Sequence, residues 1–332
     1  MIKFYTIKND MKKKILIAGG GGFIGGHLAN FYQKKGYQII SVDVKNKKSW
    51  FQINSSNKNI HADCRDPVVC DRIVKGVDYV FNLACDMGGM GFIENNKALC
   101  MLSSVININL LQSAKKYKIK KFFYSSSACV YPSYRQKHYK KPQLKESDAY
   151  PADPEDGYGW EKLFNERMCR HFYEDFGLET RIARYHNVYG EHGSWKDGRE
   201  KAPAALARKF VESIHKKKNQ IEIWGNGKQI RSFLYIDDCI RGTNLLFKSN
   251  YRYPINIGNN KHVTINELVS ILEKITGHKV KKNYDRSKPK GVNSRSSDNT
   301  LVKKVLNWSP KISTAEGMAR LFEYVNFEYH KK

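Results

Sequence analysis

The sequence predicts an α/β fold built on a doubly wound parallel sheet, with a smaller α/β unit towards the C-terminus. Strand-like and helix-like runs alternate along the first half of the chain, the pattern of parallel strands joined by crossover helices. The first strand breaks into a run of glycines that opens a helix, and the second strand ends in an acid. With 332 residues and 41% hydrophobic content, the chain has material for one large domain or two linked ones.

The elements follow in order. Ile15 to Ala18 is a short apolar run with β-branched residues, and four glycines follow it. A helical pattern then runs from Phe23 and Ile24 through Leu28 and Phe31, and "YQIISVDV" reads as the second strand. Gly19, Gly22 and Gly25 give the spacing G-x-x-G-x-x-G. Glycine suits a tight turn where a pyrophosphate approaches the backbone and the helix packs close to the strand. The free N–H groups of that helix would face the phosphates, beside Phe23 and Ile24. Asp43, at the end of the second strand, would accept from a ribose diol and repel a 2′-phosphate, which favours NAD over NADP. This is a Rossmann-type βαβ unit.

The rhythm then repeats. "KNIHADCRDP" reads as a third strand ending in Asp63 and Cys64, "GVDYVFNLACD" as a fourth ending in Leu83 and Ala84, and "IKKFFYSSSACVY" as a fifth. Helical stretches such as "LCMLSSVININLLQSAKKY" separate them. Ligands of doubly wound sheets bind at the carboxyl ends of the strands, so these tails should share one crevice. Further on, "PAALARKFVESIHKKK" reads as a helix, "IEIWGNG" as a strand, and "RSFLYIDDCIRGTNLLF" as strand then helix. In "PINIGNNKHVTINELVSILEKITG" a strand and loop lead into an amphipathic helix with Thr264 as N-cap and Glu267 three residues on. The expected division is a nucleotide domain over residues 12–189, rejoined by 230–258, with a cap from 190–229 and 259–330. Residues 1–11 read as a polar extension.

The formal net charge of +26 comes largely from lysines spread along the chain, a solvated basic surface rather than a nucleic-acid footprint, since no motif of that class occurs. The seven cysteines are odd in number and include no C-x-x-C pair or metal-ligand spacing. Reduced thiols and a cytoplasmic location are expected, with no metal. No apolar run reaches membrane-spanning length, and the N-terminus has no signal-peptide core.

Tyr158 and Lys162 stand at i and i+4 in a helical segment, so both face one side. A tyrosine ionises near pH 10. A nearby lysine and a cationic nicotinamide both favour the phenolate, which makes Tyr158 a base for oxidising an alcohol. Ser127 and Cys129 sit in the serine-rich tail of the fifth strand. Cys129 on residue type alone is a small buried hydrophobe, and it serves as a base only where positive charge lowers its thiol.

These features resemble the extended short-chain dehydrogenase/reductase superfamily. Within it the chain is similar to the GDP-mannose 3,5-epimerase family, through "DMGGMGFIENN", "SSACVYP", "LKESDAYPADPEDGYGWEK", "RYHNVYG", "GREKAPAALARK", "WGNGKQIRSF" and "SDNTLVKKVLNWSP". The resemblance covers nearly all of the chain after residue 12. It implies a GDP-sugar substrate, NAD recycled in place, and a homodimer formed through helices that include 95–115 and 158–175. It implies oxidation of the sugar at C4 with Tyr158 taking the hydroxyl proton. Proton exchange at C5 and C3 follows, then C4 is reduced, to give GDP-L-galactose and, when C5 alone inverts, GDP-L-gulose. Cys129 and Lys201 match the acid–base pair, with Cys129 as base and Lys201 as acid, while Ser127 holds the C4 oxygen. Lys209, Arg231 and Arg295 match substrate phosphate and ribose contacts. Gly88, Ala128, Asn187, Glu200, Ala202, Gln229 and Ile230 match the lining of the sugar or nucleotide. Asn293 stands where the family tends to carry a second arginine. Another GDP-sugar, such as a GDP-heptose, a 4-epimerase or dehydratase reaction, and a non-catalytic nucleotide-sugar sensor are the alternatives.

Overall fold

The computed structural model describes residues 13–138, 143–288 and 291–331. The expected N-terminal extension lies outside the described residues. The main sheet has seven strands in the spatial order Ile255–Ile257, Thr180–Tyr185, Lys121–Ser127, Tyr79–Asn82, Lys14–Ala18, Gln38–Asp43 and Lys58–His61. Every neighbouring pair is parallel. Helices Phe23–Lys34, Pro67–Val74, Lys97–Lys116, Tyr158–Phe176 and Ile236–Lys248 make the crossovers. The sheet is buried on both faces because successive residues of a strand enter different cores. Ile15 and Ile17 join one apolar cluster, and Leu16 and Ala18 join the other.

Chain order reverses between Lys14–Ala18 and Tyr79–Asn82, so the switch point lies at the carboxyl ends of these strands. Gly19 sits in that cleft with φ +81°, and a Cβ there would lie 2.8 Å from the Leu83 carbonyl carbon. The third strand stops at His61, two residues short of the expected Asp63. There the Asp63 carboxylate accepts from Arg65 N at 2.9 Å and turns the backbone, and Asp66 caps the next helix through Val68 N at 2.8 Å.

The strand Thr180–Tyr185 is wholly buried despite two arginines. Arg184 forms a bidentate pair with Glu166, Nε–Oε1 2.8 Å and Nη2–Oε2 2.7 Å, and Ser126 Oγ donates to the same carboxylate at 2.5 Å. A buried pair with its remaining lone pairs satisfied fixes one arrangement of the elements it joins. Here it locks the serine-rich strand tail onto the helix that begins at Tyr158.

A second sheet has the order Val263–Thr264, Ile230–Arg231, Ser294–Ser297, Gln143–Leu144. It sets Arg231 directly beside Arg295. Gln220–Trp224 pairs with Lys281–Asp285. Helices Ala202–His215, Ile265–Thr276 and Thr314–His330 pack together beside it. The expected capping box is present: Glu267 N donates to Thr264 Oγ1 at 3.0 Å, and Thr264 N to Glu267 Oε2 at 2.6 Å. Among the described residues, no helix is long and apolar enough to cross a bilayer.

Candidate active site

The glycine turn forms a cradle at the switch point. Gly19 N and Gly20 N both donate to Val42 O, at 2.8 and 3.0 Å, which ties the turn to the end of the second strand. A Cβ on Gly25 would lie 2.0 Å from Gly19 O, so the helix Phe23–Lys34 approaches the strand only because that atom is missing. Asp43 Oδ2 accepts from Gly21 N at 3.1 Å and its Oδ1 from Lys45 N at 2.9 Å. Burial raises its pKa against these two bonds. Each oxygen keeps a lone pair for a ribose hydroxyl. Leu83 N donates to Ala18 O at 2.9 Å, which brings Leu83 and Ala84 to the same cleft. Asp63 holds Arg65 through both oxygens, the closest at 2.7 Å, and that bond keeps its pKa low. Cys64 is buried, and its carbonyl accepts from Asn109 Nδ2 at 3.2 Å. A closed glycine turn that leads into the N-terminus of the helix Phe23–Lys34, with an acid at the end of the neighbouring strand, fits the nucleotide expected from the sequence.

Tyr158 opens its helix and is buried, with Lys162 Nζ 5.4 Å from its ring centre. The protein's own groups push Tyr158 well above its ordinary pKa, through burial first and then Cys85, Cys129 and Glu161, with a Ser127 hydrogen bond acting the other way. Lys162 does not reverse this because its charge is shared: Glu161 Oε2 lies 3.4 Å away, inside the same buried layer. Burial works against the Lys162 charge, but Cys85 and Glu161 hold its pKa above the ordinary value. Glu161 is fixed in turn by Tyr124 at 3.1 Å and Asn165 at 2.8 Å. The sequence motif gave no sign of this counter-ion, although Glu161 is adjacent to the motif lysine.

Cys129 lies in a single helical turn after the fifth strand, where Cys129 N donates to Ser127 Oγ at 3.2 Å. The turn is packed against the start of the tyrosine helix. Glu155 N donates to Cys129 O at 3.0 Å, and a Cβ on Gly159 would lie 2.4 Å from the same oxygen. Arg295 donates to Cys129 Sγ at 3.3 Å, to Glu155 Oε1 at 3.3 Å and to Gln136 Oε1 at 2.6 Å. Arg295 therefore meets the cysteine, not simply a phosphate position. The thiol does not move in the expected direction. Burial and then Glu155 push it up to about 11, and Arg295 offsets only part of that.

Lys201 precedes the helix Ala202–His215, and burial lowers its pKa against the opposing effect of Cys129. One cavity of about 340 Å³ joins these groups. Gly88, Ser127, Ala128, Cys129, Tyr158, Asn187, Glu200, Lys201, Ala202, Lys209, Gln229, Arg231 and Arg295 all line it. Ile230 does not line it: its side chain is buried within the second sheet, between Thr264 and Ser294. Lys209 Nζ donates to Glu222 O at 2.7 Å at the rim. Asn293 turns away to donate to Lys137 O at 2.5 Å, so it supplies nothing in place of the arginine of the resembling family. Glu155 and Trp224, which residue-type reasoning passed over, line the cavity too.

The sequence profile described as the NAD dependent epimerase/dehydratase family matches residues 15–258. The chain is 41% identical to GDP-mannose 3,5-epimerase 1 of Oryza sativa subsp. japonica, over 97% of this chain and 84% of that protein. It is also 41% identical to GDP-mannose 3,5-epimerase of Arabidopsis thaliana, over 96% of this chain and 84% of that protein. Among solved structures, the UDP-glucuronic acid 4-epimerase of Bacillus cereus in complex with UDP-glucuronic acid and NAD superposes with a TM-score of 0.81 at 26% identity, covering 95% of this chain and 100% of that one.

Proposed function

The chain belongs to the NAD dependent epimerase/dehydratase family and is an NAD-using epimerase, and from that premise we propose that it epimerises GDP-mannose at C3 and C5. The products would be GDP-L-galactose and, when C5 alone inverts, GDP-L-gulose. The observation that carries this reading is the lining of one cavity by Cys129 and Lys201 together with Tyr158 and Ser127. A 4-epimerase needs only the tyrosine and has no use for a second acid–base pair. The 41% identity to proteins named GDP-mannose 3,5-epimerase supports the same substrate.

NAD, when held by the turn of Gly19, Gly22 and Gly25 and by Asp43, would supply the hydride acceptor and donor for C4, which leaves a ketone there in between. Tyr158 takes the C4 hydroxyl proton and gives it back. Lys162, held one helical turn away and paired with Glu161, lies beside the ring, and the cationic nicotinamide would add the positive charge that favours the phenolate. Ser127 and Tyr158 hydrogen-bond the C4 oxygen as negative charge builds on it. A ketone at C4 acidifies the hydrogens on C3 and C5. Inversion needs a proton acceptor on one face of the ring and a donor on the other, and Cys129 and Lys201 form that pair. Lys209 and Arg231 face the diphosphate, which carries about two negative charges.

The test is incubation of the purified protein with GDP-mannose in heavy water without added cofactor. Deuterium is expected at C3 and C5 and not at C4, because the C4 hydrogen stays on the enzyme. Absence of exchange at both carbons would overturn the reading. The homodimer expected from the sequence has a matching surface. Met101, Leu102 and Val105 are exposed on one helix, and Trp160 and Phe164 on the helix packed against it. We propose that a second copy covers this patch. Sedimentation should return twice the mass of the chain, and a charged replacement of Phe164 should return the monomer.

A further inference from the structure

We propose that Arg199 is a positioning residue of the epimerisation step: it ties the segment that carries Lys201 to the glycine loop at residues 87–92, and so sets the place of Lys201 in the cavity. This rests on the epimerase reading above. It also gives a physical reason for two motifs, "DMGGMGFIENN" and "GREKAPAALARK", that lie far apart in the chain and meet in the fold.

Lys201 needs such a support. Among the described residues no hydrogen bond or ion pair holds its amine. Its place is therefore set by its backbone. On the C-terminal side that backbone is fixed, because Ala205 N donates to Lys201 O at 3.0 Å at the start of the helix Ala202–His215. On the N-terminal side lies an irregular segment, in which Gly198 has φ +79° and Asp197 Oδ1 accepts from Arg199 N at 3.0 Å. Such a segment holds one position only if something outside it makes contact.

Arg199 supplies the contact. Its guanidinium lies over the Phe92 ring, 4.0 Å from the ring centre, and its Nη1 reaches Met87 O at 3.5 Å. The two backbones also touch, with Gly89 N donating to Arg199 O at 3.0 Å. That approach needs glycine. A Cβ on Gly89 would lie 2.7 Å from Glu200 O, and one on Gly88 would lie 2.8 Å from Phe92 Cβ and 3.2 Å from Arg199 Cβ. Gly88 and Gly89 line the cavity, and so do Glu200 and Lys201. Arg199 is not among the described residues that line it. It therefore acts through the two segments that it joins.

This location predicts a split between the two halves of the reaction. The hydride step at C4 uses Tyr158, Ser127 and the cofactor cradle, which lie on other elements than the Lys201 segment. Slack in that segment should slow proton exchange at C3 and C5 and spare the hydride step. A general loss of structure would slow both.

The experiment measures both steps in R199A with its bound NAD. Deuterium uptake at C3 and C5 of GDP-mannose in heavy water reads the first. The absorbance of reduced nicotinamide after rapid mixing with GDP-mannose reads the second. Uptake should fall by about 10- to 100-fold, the cost of a small misplacement of a reacting group, while NAD reduction keeps the wild-type rate. R199K keeps a cation for the Phe92 ring and should recover part of the uptake. G89A pushes on Glu200 O without touching the arginine, and should show the same split. Uptake at the wild-type rate in either folded variant would overturn the proposal, and so would an equal loss of uptake and NAD reduction. Absence of uptake in the wild type would instead overturn the epimerase reading, and this proposal with it.

Discussion

Replacing Cys129 by alanine is expected to abolish deuterium uptake at C3 and C5 of GDP-mannose while the protein keeps its NAD. Proton transfer by a positioned side chain is worth about 10²- to 10⁴-fold in rate, and among the described residues lining the cavity there is no second thiol in the place of Cys129. The fold should tolerate the change. Cys129 is a small residue in a turn held by Glu155 N donating to Cys129 O and by Cys129 N donating to Ser127 Oγ, and loss of one sulfur atom costs about 1–2 kcal/mol. The proposed cofactor cradle, Gly19, Gly22, Gly25 and Asp43, lies on a different strand pair, so NAD retention should be unaffected. The measurement is the NMR spectrum of sugar recovered from heavy water, alongside the NAD content of the variant. Tyr158→Phe should also stop exchange, but by preventing the ketone. Cys129→Ala should still reduce its bound NAD transiently when sugar is added. Exchange at the wild-type rate in Cys129→Ala would remove the thiol from the chemistry.

The parts of this site that could be read from sequence are those set by local chemistry. Gly19, Gly22 and Gly25 are close in the chain, and the turn they form is dictated by backbone geometry over seven residues. Tyr158 and Lys162 face one way because a helix repeats every 3.6 residues. Thr264 and Glu267 announce their helix start for the same reason. Ends of strands were less legible. The third strand was expected to reach Asp63, but side-chain bonds from Asp63 and Asp66 turn the chain earlier, and such competition leaves no trace in an apolar pattern.

The charge balance of the site was not legible at all. Glu155 meets Arg295 across 140 residues and Arg295 meets Cys129 across 166, through a small sheet whose strands are two to four residues long. Strands that short carry no periodicity. Cys129 was expected to serve as a base only where positive charge lowers its thiol; among the protein's own groups, burial and then Glu155 raise it, and Arg295, paired with Glu155, offsets only part of that. Glu161 changes Lys162 in the same way. In both cases the charge around the motif residue depends on a neighbour that the motif does not include.

The strongest effect on cofactor binding is expected from Gly25→Ala, which should yield protein without NAD. The added Cβ would lie 2.0 Å from Gly19 O and 2.8 Å from Gly19 C. Both are backbone atoms of the turn, so no side chain can rotate to make room. The helix Phe23–Lys34 must move away from its strand, or Gly19 must leave the conformation at φ +81° that its bonds to Val42 O depend on. Either shift carries the N–H groups of the turn away from the pyrophosphate position. Overpacking of this kind also costs about 1–3 kcal/mol of stability. Gly26→Ala is the control for a helix change alone. Its Cβ would meet the Gln52 side chain at 3.2 Å, which a few tenths of an ångström of movement relieves. That variant should retain the cofactor and, with alanine replacing glycine inside a helix, should lose little stability. Heat release of bound nucleotide and its absorbance give the occupancy of each, with thermal melting as the check on folding. Full NAD occupancy in Gly25→Ala would mean that the close approach of helix to turn does not hold the cofactor. Equal loss in both variants would trace the effect to the helix rather than to the contact between Gly25 and Gly19.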